Sequence, residues 1–130
     1  MSGKLNKAKK FYSTTEKSSL QVQDPISIVK TMVKELQSSM NKVIDTTGKD
    51  GERFVRTKYF SRSLVIIYTL QTTLDFEKGE SLATKLFQIY EYCRQQLIKC
   101  FKEQVVDGTY KAINALEDIF STNMVKSDVK

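Results

Sequence analysis

Residues 80–104 read Glu80-Ser-Leu82-Ala83-Thr-Lys-Leu86-Phe87-Gln-Ile89-Tyr90-Glu-Tyr-Cys93-Arg94-Gln-Gln-Leu97-Ile98-Lys-Cys100-Phe101-Lys-Glu-Gln104. Leu82, Leu86, Ile89, Cys93, Leu97 and Cys100 recur at intervals of three and four, the period of one helical face. Ala83, Phe87, Tyr90, Ile98, Phe101 and, just beyond, Val105 form a second stripe beside the first. A run this long, with no Pro or Gly inside it, predicts a helix whose apolar surface is wider than one neighbour can cover.

The flanks repeat the pattern. Upstream, Asp75-Phe-Glu-Lys-Gly79 breaks a helix predicted over 52–73, with Phe60, Leu64, Ile67, Leu70 and Leu74 on one stripe. Val55, Tyr59, Ile66 and Tyr68 lie off that stripe, so this helix is apolar around much of its circumference. Thr46-Thr-Gly48-Lys-Asp50-Gly51 is the clearest loop. Before it, Asp24-Pro25 predicts a helix start, since Asp is a good N-cap and Pro suits the first helical position. Ile28, Met32, Leu36, Met40 and Val43 then carry a stripe to about residue 45. Downstream, Asp107-Gly108 predicts a turn. A last helix follows through Tyr110, Ile113, Leu116, Ile119 and Phe120, fraying near Met124. The expected fold is all-α: an antiparallel up-down four-helix bundle over 24–126, with a flexible N-terminal arm at 1–23 and a frayed tail at 127–130.

Composition agrees. The chain has 130 residues, 40% hydrophobic and 28% charged, with one Pro and five Gly. These values exclude a wholly disordered chain, a disulfide scaffold and an all-β sandwich, which needs far more turn residues. There is no His, the commonest general base and metal ligand. Cys93 and Cys100 would stand ~10.5 Å apart along one helix, too far to bridge. They read as buried small hydrophobes in a reducing compartment, and no zinc site is expected. Gly48-Lys49 lacks the earlier Gly and the following Ser or Thr of a phosphate-binding loop. Asp75, Glu77 and Glu80 read as acids near a helix start. No catalytic constellation, cofactor or metal is expected.

The net charge of +6 is uneven, because Lys4, Lys7, Lys9 and Lys10 precede the first acid, Glu16. Such an arm could track phosphates or an acidic membrane, or be a solvated terminus. No secretory leader and no run long enough to span a bilayer is visible, which points to the cytoplasm. The apolar surplus on the second and third helices is either core or a groove for an amphipathic helix.

Thr73-Leu-Asp75-Phe-Glu-Lys-Gly79-Glu-Ser-Leu82, continued through Tyr90-Glu-Tyr92-Cys-Arg94 to Leu97, resembles the signature of the FliS family of flagellar secretion chaperones. The family's pattern is a Leu-Asp-x-Glu-x-Gly turn, a Leu, then a Tyr-x-Tyr-like pair before Arg and Leu. Asp24-Pro25 and Leu116 to Phe120 agree with its first and last helices. Met32-Val33-Lys34-Glu35 departs from the family's Leu-Tyr-Asp-Gly-like run, Tyr12 lies farther from Pro25 than usual, and Phe120 replaces a common Trp. These departures suggest a divergent member with a differently tuned partner. The resemblance implies a cytoplasmic four-helix chaperone that binds the C-terminal amphipathic region of flagellin. It would prevent premature polymerisation and help deliver the client to the export gate. On that analogy Phe87, Tyr90, Arg94, Leu97, Ile98 and Phe101 are candidate groove residues, with Arg94 pairing a client acid. Tyr12 and Leu20 would lie on an arm that covers the groove, and Asp75 and Gly79 would serve the turn. Two other readings are an adaptor for another flagellar export or regulatory protein, and a small basic nucleic-acid binder, the less expected of the two.

Overall fold

A rigid ring fixes φ at Pro25, and the first helix, α1, spans Pro25–Thr46. The computed structural model describes residues 25–77 and 79–121; the arm and tail expectations lie outside them. Val33, Leu36, Met40 and Val43 form the buried line of α1. Val33 takes the inward position expected for Met32, which is only half-buried. The helix ends as Gly48 enters the left-handed region (φ 80°), a conformation glycine adopts without a Cβ clash. The guanidinium of Arg56 donates to the backbone carbonyls of Thr46 and Lys49. A cation placed on these carbonyls opposes the negative end of the α1 dipole.

One 3-10 turn, Asp50–Glu52, leads into α2, Arg53–Thr72. The expected breaker at 75–79 then reverses the chain. Asp75 Oδ1 accepts the Glu77 amide (3.1 Å), and the Asp75 carbonyl accepts the Gly79 amide (3.3 Å). Helix α3 spans Glu80–Glu103 and α4 spans Asp107–Ser121. Between them Gln104 adopts φ 60° and donates its amide to the Cys100 carbonyl at 2.9 Å.

The short connections make sequential helices antiparallel neighbours, and α4 packs back on α1 to close an all-α four-helix bundle. Helices α1 and α3 also meet across the diagonal. The buried core draws Leu86, Tyr90, Cys93, Leu97 and Cys100 from α3, Val33, Leu36, Met40 and Val43 from α1 and Ala112, Leu116 and Ile119 from α4, while α2 supplies only Ile67 and Leu70. The surplus on α2 therefore does not make it a central helix. Both cysteines are free and buried. Helix α4 comes close to α3 through small residues: Thr109 Oγ1 donates to the Gln96 carbonyl (3.1 Å), and Ala112 packs in the core.

Two stability outcomes follow from this packing. Leu36→Ala, at a position with no solvent exposure, is expected to cost about 2–5 kcal/mol in urea unfolding. Gln104→Gly is expected to add about 1 kcal/mol, because glycine removes the Cβ penalty of the left-handed region. Gln104→Ala, measured beside it, should add nothing.

Candidate partner-binding groove

The α2–α3 seam begins with an aromatic stack. The rings of Phe60 and Phe101 lie 4.0 Å apart and nearly parallel, at 9°. Beyond Phe101 is a cleft of about 370 Å3 lined by Asp50, Arg53, Arg56, Phe101 and Gln104. At the other end the seam is polar. Gln71 Nε2 donates to Glu91 Oε1 (3.2 Å) and to the Phe87 carbonyl (3.5 Å).

Glu91 gathers further donors from its own helix. Arg94 Nε lies 3.0 and 3.1 Å from the two carboxylate oxygens, and Nη2 lies 2.5 Å from Oε2. Gln95 Nε2 adds a contact at 3.4 Å. Hydrogen bonding from Arg94 is the main reason that the Glu91 carboxyl falls from 4.5 to about 2, with Gln71 assisting. The same pairing raises the Arg94 guanidinium.

At ~100° per residue, Phe87, Arg94, Ile98 and Phe101 fall within about 60° of one another on α3. They share the flank that meets α2. Phe87 is exposed, and Arg94, Ile98 and Phe101 are half-buried. Tyr90 and Leu97 are placed differently from the groove expectation. Both are fully buried, because at positions 90 and 97 they fall on the inward face with Leu86, Cys93 and Cys100. They hold the helix that carries the groove and present nothing to a partner in this conformation. Arg94 also differs from the expectation, since its guanidinium is already committed to Glu91 and a client acid would have to share or displace that contact. Asp75 and Gly79 lie at the turn before α3. Tyr12 and Leu20 lie outside the described residues.

The sequence marks the apolar surplus of α2 as core or groove without singling out its seam residues. Phe60 falls on the expected core stripe, and Gln71 and Glu91 carry no signal of their own; the i, i+3 spacing of Glu91 and Arg94 is the one clue in the sequence.

Catalysis finds no support in the buried groups. Burial pushes the Cys93 thiol up to about 12, far from the thiolate that a nucleophile or metal ligand requires. The Tyr90 phenol is also raised by burial, and its hydroxyl has no hydrogen-bond partner among the described residues. Among those residues no cluster of three or more acids or cysteines could hold a metal, and no helix is long and apolar enough to cross a membrane.

Two titration and stability outcomes test this geometry. Because the folded Glu91 value lies below its unfolded value, its stabilising contribution is complete above about pH 4.5 and fades as pH falls toward 2. A carbon-13 NMR titration should place its midpoint near 2, and Arg94→Met should return it most of the way to 4.5. Tyr90→Phe removes an orphaned buried hydroxyl and should raise unfolding stability by about 1 kcal/mol.

Searches among curated proteins and among solved structures each returned no match. Against protein families, residues 8–123 match the one described as flagellar protein FliS. That match covers all four helices and the seam between α2 and α3, and so the chain belongs to the FliS family of flagellar chaperones.

Proposed function

We propose that this protein is a cytoplasmic export chaperone that binds the C-terminal amphipathic region of flagellin, keeps it from polymerising and assists its delivery for secretion. The observation that carries the reading is the incompletely covered α3 flank, where Phe87 is 42% exposed and Ile98 and Phe101 are only half-buried, in a member of a flagellar chaperone family. A client segment that folds on binding must bury enough apolar surface to offset the entropy of its ordering. At about 25 cal/mol per Å2, a few hundred Å2 of apolar contact gives several kcal/mol before that cost. The Gln71–Glu91–Arg94 cluster gives the same surface polar groups that fix register along an otherwise apolar contact.

The work is holding, with no bond made or broken. A bundle whose core is closed by α1 and α3 can keep its shape while the seam exchanges solvent for client. The flank is on a helix, which holds its anchors at fixed spacing for a helical client's i, i+3, i+4 and i+7 residues.

Isothermal titration with flagellin should give an equimolar complex that is lost when flagellin's C-terminal helices are deleted. Ile98→Asp should weaken that complex at least tenfold with an unchanged circular dichroism spectrum. Phe87→Ser, at a more exposed position, should weaken it in the same direction without loss of thermal stability. Equal binding of full-length and truncated flagellin would overturn the reading.

A further inference from the structure

The outer face of α2 belongs neither to the core nor to the α2–α3 seam. Phe54, Val65 and Tyr68 are 82%, 64% and 69% exposed. At ~100° per residue they fall within about 60° of one line along the helix, opposite Ser63, Ile67 and Leu70. At ~1.5 Å per residue the line from Phe54 to Tyr68 is about 21 Å long, the length of a helix-on-helix contact. Ser61, small and exposed, sits on the same line between the large residues and leaves room for a second backbone to approach.

Charge narrows the occupant. Helix α2 carries Arg53, Arg56, Lys58 and Arg62 and no acidic residue. Arg56 is occupied by the carbonyls that end α1, and Arg62 pairs with Glu35 at 2.6 Å while its side chain stays about half exposed. Lys58 and Arg62 border the edge of the apolar line nearer α1, whereas Arg53 turns toward the cleft beside Phe101. A second copy docking face to face would bring these cations against their own images. The sequence ahead of Pro25 is also net positive, with Lys4, Lys7, Lys9, Lys10 and Lys17 against Glu16 and Asp24. A single-stranded nucleic acid fits less well. Phe54 and Tyr68 stand too far apart to stack neighbouring bases.

We infer that the outer face of α2 is a second docking surface, separate from the α2–α3 seam, for an amphipathic helix whose apolar stripe is bordered by acidic residues. The helix would lie along α2, with its apolar side chains between Phe54, Val65 and Tyr68 and its acids against Lys58 and the half-exposed Arg62. The chaperone would thus hold a client on one surface and an acidic helical partner on another.

The test uses the full chain and three probes followed by fluorescence anisotropy. These are an 18-residue helical peptide with a Leu stripe and Glu borders, the same peptide with Lys borders, and a single-stranded oligonucleotide. The Glu-bordered peptide should bind, more weakly as salt rises, and the Lys-bordered peptide should bind at least tenfold more weakly. Val65→Glu and Tyr68→Ser, both at exposed positions, should each weaken the Glu-bordered complex at least tenfold. Both variants should leave the flagellin titration unchanged, and Ile98→Asp should leave peptide binding unchanged. No peptide binding, or binding insensitive to Val65 and Tyr68, overturns the inference. Loss of peptide binding in Ile98→Asp also overturns it, because the peptide would then occupy the seam, while the flagellin reading would stand. Tighter binding of the oligonucleotide, or a dimer in sedimentation that Val65→Glu dissolves, replaces the acidic helix with the corresponding occupant.

Discussion

The buried cluster that joins the inward faces of α1, α3 and α4 is the constraint on which the other features rest. Leu36, Met40 and Val43 of α1, Tyr90, Cys93 and Leu97 of α3 and Leu116 of α4 belong to one cluster, all without solvent exposure. Helix α2 is left with a narrow inward stripe. Its remaining apolar residues have to go elsewhere, and they go to the seam with α3 and to the outer surface.

That arrangement explains how a basic protein of ordinary apolar content carries so much hydrophobic surface. Phe60 and Leu64 turn toward α3 and are only half-buried, while Phe54, Val65 and Tyr68 turn away from the bundle altogether. An apolar line of this kind on a protein surface usually marks a contact with another molecule. The polar cluster around Glu91 limits how far the seam can close. Its carboxylate is held by Arg94, Gln71 and Gln95, a set that keeps a charge at the seam and half-covers it. The ion pair itself is partly exposed and contributes little to stability. Its consequence lies in what it occupies: the Arg94 guanidinium is engaged within the protein by Glu91.

Much of the fold was legible in the sequence because it depends on local chemistry. Pro25, the Gly48 loop and the Asp75–Gly79 breaker act within a few residues, and the first three helices begin and end within one or two residues of where those signals place them. Asp107 and Gly108, expected as a turn, instead open α4, and the break falls at 104–106, where Gln104 takes the left-handed conformation. The family signature was legible for the same reason, since it joins a turn to the first half of α3. The faces were less legible. Two stripes along α3 could be seen, yet the buried line drew Ala83 and Tyr90 from one stripe and Leu86, Cys93, Leu97 and Cys100 from the other. A rotation of α3 by less than one residue's angle changes which stripe faces inward, and nothing local sets that rotation.

The sequence by itself determined that this chain makes four helices, where the first three stop, that they close into a bundle and which family they belong to. Tertiary structure alone decided which residues remain accessible: Tyr90 and Leu97 went to the core, Phe87 and Ile98 stayed at the seam, and Phe54, Val65 and Tyr68 went to an outer face. The reason is physical. Periodicity fixes the angle between two side chains on the same helix, but the direction in which that helix is turned is set by the volumes and partners of the helices packed against it.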